Sequence, residues 1–419
     1  MAFFTIIMSL KYYQSTPLEP IFGKLHFLLY AFTIVFILLY LINRIHYVMK
    51  IDGIILYYAI LSFVIPIYSG TVAYVTFGQP MTYGIASQRL WFSMGSAIYI
   101  YYLLSSHKVS LEKLEKLFVF ITWLSIGIFF YFIFFVNPYK YIGNGGPNFV
   151  TFEEGRGLRY KFNSYFIIFG VIYYFIKATF EKKKKYTAAF MVFLYYIVAI
   201  IQGRTFMILI LATLGIFSFF ELRITLFVKK ILISIVALVI FITLLGIVNP
   251  ALLASMAFMF GQLFTVLSGG ESEDSSANAR IHETHKVMHQ FDSDPMSIIH
   301  GVGYLSAKWD GGFFSKFGYF FPPDIGLLGA SFVYGTFGIL MLFIIPAIIS
   351  YLSARKIKNS NNAFILTMKY MLFYIFVSSI AKGTVVFTPF LYLMPLLIMY
   401  YFTKVQKMNF KNRQLKKLD

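Results

Sequence analysis

The sequence predicts an all-α polytopic membrane protein, on three observations: its share of apolar residues, a succession of almost uncharged stretches each long enough to cross a bilayer, and basic segments that recur in alternation between them. Apolar residues are 59% of the 419, and mean hydropathy is +0.74. That is more apolar surface than one soluble core can hide. In lipid the stretches must be helical, because an open strand leaves its backbone groups unpaired.

Runs of roughly 17 to 25 apolar residues can span, and eleven occur. They lie near 25–42, 53–68, 88–104, 117–136, 162–177, 186–202, 204–220, 229–248, 324–351, 363–380 and 384–403. Residues 2–10 are apolar but too short to cross. Lys11, Pro17 and Pro20 interrupt any continuation, so an interfacial segment or a twelfth span is expected, giving about 11–12 in all. No basic start or small-residue cleavage site marks a signal peptide there.

Short loops rich in Lys and Arg stay in the cytoplasm, and the connecting segments sort strictly by that rule. The segments 43–52, 105–116, 177–185, 221–230, 352–369 and 404–419 are basic. They hold 23 Lys and Arg against 6 Asp and Glu, and the rest of the chain holds 13 against 11. So 17 of the net 19 positive charges act as orientation signals, and nucleic acid is not an expected partner. The C-terminus is expected inside. The intervening segments 69–87, 137–161, Gly203, 249–323 and 381–383 are expected outside. The whole chain, 1–419, reads as a single transmembrane domain with a smaller external loop at 137–161 and a large one at 249–323. With no cysteine, disulfide and thiol chemistry are excluded.

The large loop is about 75 residues, where helix connections usually need 2 to 8. Its apolar stretch 251–267 suits a membrane interface, and the polar run Gly269 to Asn278 suits a link. Ala277 to Phe291 then has helix-forming composition, with Ile281, Thr284, Met288 and Phe291 as its apolar stripe. His282, His285 and His289 share another face and could hold zinc. No carboxylate-plus-His signature accompanies them, Glu283 alone does not supply one, and no metal or cofactor is expected.

Four arginines stand on the expected outer side, against the positive-inside trend. Arg156 and Arg159 lie in the glycine-rich EEGRGLRYKFN, Arg204 begins a span in QGRT, and Arg280 opens the histidine-bearing helix. A guanidinium is a fixed fork of donors suited to phosphate oxygens. Alternatively these arginines pair with Glu153, Glu154 or lipid headgroups. Asp324 follows two prolines at the mouth of a span, where it could be a general base or a helix N-cap. His300 is the alternative base. Gly301 and Gly303 permit tight turns or close backbone approach. Trp309, beside Asp310, reads as a sugar platform or an interface anchor.

Four pieces of the chain, GRGLRYKFNSY, QGRT, SSANARIHETHKVMHQFDSDPMSIIHGVGY and PPDIGLLGASFVYGTFGIL, resemble in order and spacing the bacterial O-antigen polymerase and O-antigen ligase superfamily. The likeness runs from about Gly155 to Leu340. It implies a metal-independent glycosyltransferase with a GT-C-like fold at the outer face of the bacterial cytoplasmic membrane. The substrates implied are oligosaccharide repeat units on undecaprenyl diphosphate, and a chain-length regulator is an implied partner. On that resemblance Arg156 or Arg159, Arg204 and Arg280 would hold the diphosphate, and Asp324 would orient or deprotonate the acceptor hydroxyl. Ligases of the family typically carry His where this chain has Asp324, which favours polymerase. A ligase acting on another acceptor, and a non-enzymatic lipid-linked sugar flippase, remain as alternatives. A transporter would place charges mid-span and show internal repeats, whereas here the spans are almost uncharged and no repeat is visible.

Overall fold

The computed structural model describes residues 2–11, 19–46, 53–137, 139, 150–153, 157–160, 164–222, scattered positions between 225 and 261, 275–355, 357 and 362–406. Seven helices among them are long and apolar enough to cross a membrane: Ile21–Asn43, Gly53–Phe77, Leu111–Phe132, Lys184–Ile201, Arg204–Glu221, Pro322–Arg355 and Ala363–Lys382. Each coincides with an expected span, so the chain is a multi-pass helical membrane protein. The expected span 162–177 is a helix of 17 residues, Tyr165–Glu181. Those at 88–104 and 384–403 are broken, and 229–248 lies mostly outside the described residues, as do 251–267 and most of 269–278. The chain divides into two compact units.

The first unit comprises Met1–Glu115, Ala279–Ser360 and Ile375–Asp419. It opens with α1 (Ala2–Ser9), α2 (Glu19–His46) and α3 (Gly53–Phe77). The eight residues of α1 make a helix of about 12 Å, too short to cross, and it packs on α2 with Met8 against Leu29. Next come α4 (Met81–Ser87), a 3₁₀ turn Arg89–Phe92, and α5 (Ser93–Ser105). The break at 88–92 is framed by side chains from distant parts of the first unit. Here Gln88 Nε2 donates to Ser69 Oγ (2.9 Å), the Tyr334 hydroxyl donates to Gln88 Oε1 (2.9 Å), and Trp91 Nε1 donates to the Tyr334 hydroxyl (3.3 Å).

The second unit comprises Lys116–Asn278 and Asn361–Tyr374. From the first unit's last residues runs α6 (Leu111–Phe135), followed by a hairpin of β1 (Val150–Glu153) and β2 (Gly157–Tyr160), a small departure from an all-helical loop. Its register is Val150↔Tyr160, Thr151↔Arg159, Phe152↔Leu158 and Glu153↔Gly157. Val150, Leu158 and Tyr160 pack on Phe132 and Val136 at the end of α6, as the two-residue period of a strand requires. Then α7 (Tyr165–Glu181) and α8 (Lys184–Tyr195) lie side by side, with Trp123 Nε1 donating to the Tyr174 hydroxyl at 2.7 Å. A π-helical turn, Tyr196–Ile201, ends at Gln202, and α9 (Arg204–Glu221) starts two residues later. At its far end Glu221 Oε1 accepts from Lys369 Nζ and from the Tyr370 hydroxyl, both at 2.8 Å.

The first unit resumes with α10 (Ser275–Ser293, from Ala279), α11 (Ser297–His300) and α12 (Phe313–Phe317). Then come α13 (Gly326–Ile339), a π-helical stretch Leu340–Ile344 and α14 (Ile345–Arg355). Helix α15 (Ala363–Lys382) contributes to both units. The first unit closes with α16 (Thr384–Phe387), a 3₁₀ turn Pro389–Tyr392 opened by proline, α17 (Leu393–Tyr400) and a π-helical end.

Helix α13 is interrupted at Gly335, whose φ is +68°. The carbonyls of Phe332 and Val333, freed by the break, accept from the amides of Val302 (2.8 Å) and Gly303 (3.0 Å). The Gly301–Ser306 segment is thereby stitched to α13. On its other side Gln79 Nε2 donates to Tyr304 O (3.0 Å), while Gln79 Oε1 accepts from Ser306 N (2.7 Å). A Cβ at Gly303 would stand 2.4 Å from Ala73 N, and Gly303 has φ +76°. The close approach expected of this glycine is therefore to α3. The π-helical stretch leaves carbonyls at Met341 and Leu342 to the hydroxyls of Tyr57 and Tyr392, the usual sign of an inserted residue met by side chains.

Candidate functional site

A concentration of charge outside the long apolar helices of the first unit occurs where α10 meets residues 319–324. Phe332 of α13 anchors the neighbourhood: its ring contacts those of Phe291, Phe313, Phe317 and Phe320, with centroids 4.9–6.4 Å apart. These aromatic contacts fix which face of α10 turns inward. The buried positions are Glu283 (1% exposed) and Val287 (0%), whereas Ile281 (38%) and Met288 (47%) are exposed. The apolar stripe expected through Ile281 and Met288 is thus corrected by one residue, about 100° of helix rotation. Aromatic packing at Phe291 and polar contacts from Glu283 and Lys286 outweigh two isolated apolar residues.

Two side chains of α10 hold the segment that follows α12. Glu283 Oε1 accepts from Phe321 N at 2.8 Å, and Lys286 Nζ donates to Tyr319 O at 3.0 Å. Phe321 in turn precedes the 3₁₀ turn Pro322–Ile325, and its carbonyl accepts from Asp324 N at 2.9 Å. Prolines suit the first positions of such a turn, which need no amide hydrogen. Asp324 caps neither the turn nor α13: the preceding residues are Phe321 and Ile325, and no side-chain cap is formed. With the capping role absent, Asp324 is a half-buried carboxylate held at the start of a membrane helix.

Burial pushes the Glu283 carboxyl above the usual carboxylate range. The Phe321 amide opposes that rise, the Asp324 charge adds to it, and Arg280 and Lys286 oppose it. The Tyr319 hydroxyl is raised for the same reasons, burial first and then Asp324 and Glu283, against Arg280. Arg280, Glu283, Tyr319 and Asp324 therefore share one electrostatic neighbourhood. Glu283 Oε2 and Arg280 Nε are buried with no hydrogen-bond partner among the described residues. A buried donor or acceptor left this way carries a full desolvation cost.

The remaining expected site residues belong to one unit or the other. Arg156 lies outside the described residues; Arg159 pairs with Thr151 in the hairpin, and Arg204 begins α9, both in the second unit. His300 ends α11, with Nδ1 2.6 Å from Gly301 O and its own carbonyl accepting from the Tyr68 hydroxyl at 2.9 Å. Because the Gly301 carbonyl can only accept, Nδ1 is the donor in that contact. Lys316 Nζ stands 5.5 Å from the Trp309 ring centre and bridges to Asp310 at 2.8 Å, so a sugar stacking on Trp309 would have to share the ring with an ammonium. His282, His285 and His289 are all exposed on α10, and no group of three metal-binding side chains occurs among the described residues.

Glu283 is the residue that sequence reasoning passed over. Its only signal is spacing: it sits three residues after Arg280, on one face of the helix. No family model, no curated protein and no solved structure matches the chain.

Proposed function

We propose that the protein is a glycan polymerase that joins oligosaccharide repeat units carried on undecaprenyl diphosphate, as the sequence resemblance implies. The observation that carries this reading is a cation and two carboxylates, Arg280, Glu283 and Asp324, in one electrostatic neighbourhood at the entrance to a membrane helix. In the proposed reaction a sugar hydroxyl of the incoming unit attacks the anomeric carbon of the growing chain. Asp324 takes the hydroxyl proton, the bond from that carbon to the diphosphate breaks, and lipid diphosphate departs with the charge. Arg280 offsets that developing charge. Arg204, and with it Arg156 or Arg159, is assigned the same anion-holding role on sequence grounds. The reaction is placed at the outer face of the cytoplasmic membrane, with the loop 249–323 outside.

The test uses purified protein in lipid nanodiscs, given lipid-linked repeat units, with product lengths read on a gel. Wild type should yield a ladder. Asp324→Asn should lower the rate by about 100-fold or more, the usual contribution of a positioned base. Because Asp324 caps no helix, a loss cannot be assigned to a missing cap. Arg204→Ala should abolish the ladder, and Arg204→Lys, which keeps the charge but not the fork, should restore little. A full ladder from Asp324→Asn, or from both Arg204 variants, would remove those roles.

A further inference from the structure

Resting on the polymerase reading, we infer that Glu283 is the positioning residue of this site: its buried carboxyl ties the turn that carries Asp324 to the helix that carries Arg280. The connection is continuous. Glu283 Oε1 accepts the Phe321 amide at 2.8 Å, and the Phe321 carbonyl accepts the Asp324 amide at 2.9 Å. Arg280 and Glu283 are three residues apart on α10, so a shift of the turn changes the spacing between Asp324 and the arginine. Among the described residues the other hydrogen bond from α10 to this segment, Lys286 to the carbonyl of Tyr319, lies five residues before Asp324.

A carboxylate in this position is costly. Gln would offer the Phe321 amide an oxygen without a buried charge, and an apolar residue would avoid the orphaned Oε2. A charged acceptor makes a shorter and stronger hydrogen bond to an amide than a neutral one. The turn is accordingly held most firmly when Glu283 is ionised, and less firmly once its proton is on. The groups facing Glu283 are Arg280 and Lys286 from its own helix and Asp324 and Tyr319 from the segment opposite. Arg280 and Lys286 favour the charged form and Asp324 opposes it, so titration of Glu283 reports on all of them.

The experiment compares wild type, Glu283→Ala and Glu283→Gln in the nanodisc assay across pH. Glu283→Ala removes the tether, and kcat should fall about 100-fold, the cost of roughly 1 Å of misplacement. KM for the lipid-linked unit should move far less than kcat. Wild type should show an acid limb with its midpoint above the ordinary glutamate range, where Glu283 takes up its proton and the tether weakens. Glu283→Gln should lose that limb and run at the lower rate, keeping only the fall in acid that any carboxylate base shows when protonated. A wild-type kcat in Glu283→Ala, or an unchanged acid limb in Glu283→Gln, overturns the inference. Hydrogen exchange separates this outcome from failure of the polymerase reading, because it needs no turnover: the amides of Phe321 and Asp324 should exchange faster in Glu283→Ala. If wild type makes no polymer but those amides are deprotected, the tether stands and the activity falls; unchanged exchange sinks the tether itself.

Discussion

Glu283 is held at odds with the stability of its own fold. Its carboxyl is raised in the folded protein, chiefly by burial, so the folded state holds the proton more tightly than the unfolded chain does. The stabilising contribution of that proton is complete below the unfolded glutamate range and is lost as pH rises through the folded value. Above that folded value wild type carries a buried charge that Glu283→Gln does not. Melting in detergent should show Glu283→Gln more stable than wild type at pH 7 and the gap closing toward pH 4; a variant less stable at pH 7 would contradict the assignment. A residue kept at the expense of stability fits a functional position. Sequence made Arg280 and Asp324 visible because charge is rare in so apolar a chain. It did not show Glu283, because burial depends on how α10 is rotated, and that is decided by the ring of Phe332 more than forty residues away from Phe291.

At the scale of elements, what the sequence displays is hydropathy, and what it hides is regularity. The expected spans 88–104 and 384–403 are largely apolar, yet both contain 3₁₀ turns. At the first break the side chain of Gln88 is held by Ser69 and Tyr334, partners that no local window contains. The β1–β2 hairpin was legible in principle, since Val150, Leu158 and Tyr160 alternate with polar residues, but it is too short to stand out beside long apolar runs. Gly335 is the sharpest case, because a glycine inside an apolar helix normally invites replacement by alanine. Gly335→Ala should instead destabilise by at least about 3 kcal/mol: φ is +68°, and the new Cβ would sit 2.1 Å from Ile299 O. Gly127 in α6 has nothing within 4 Å of its would-be Cβ. Gly127→Ala should be neutral or gain about 0.5–1 kcal/mol, the ordinary helix preference. Paired melts in detergent check both, and a Gly335→Ala protein that melts with wild type would mean that α13 can run through the break.

Across the whole molecule, the positions of the membrane helices were the most legible feature, because hydropathy adds along the chain and needs no knowledge of partners. Seven long helices fall where expected. Their orientation is an expectation from charge alone: with the basic connecting segments cytoplasmic, α10 and the Asp324 turn are expected on the opposite face. A chain without cysteine makes this directly measurable, since any single cysteine introduced is the only thiol present. Lys113, Lys183, His289 and Lys308 are all exposed, so labelling at each reports sidedness and not burial. A membrane-impermeant maleimide applied to intact cells should label His289→Cys and Lys308→Cys, and should reach Lys113→Cys and Lys183→Cys only after permeabilisation. The reverse pattern would place Arg280, Glu283 and Asp324 in the cytoplasm. Polymerisation at the outer face would then be untenable, whatever the variants at those residues do to turnover.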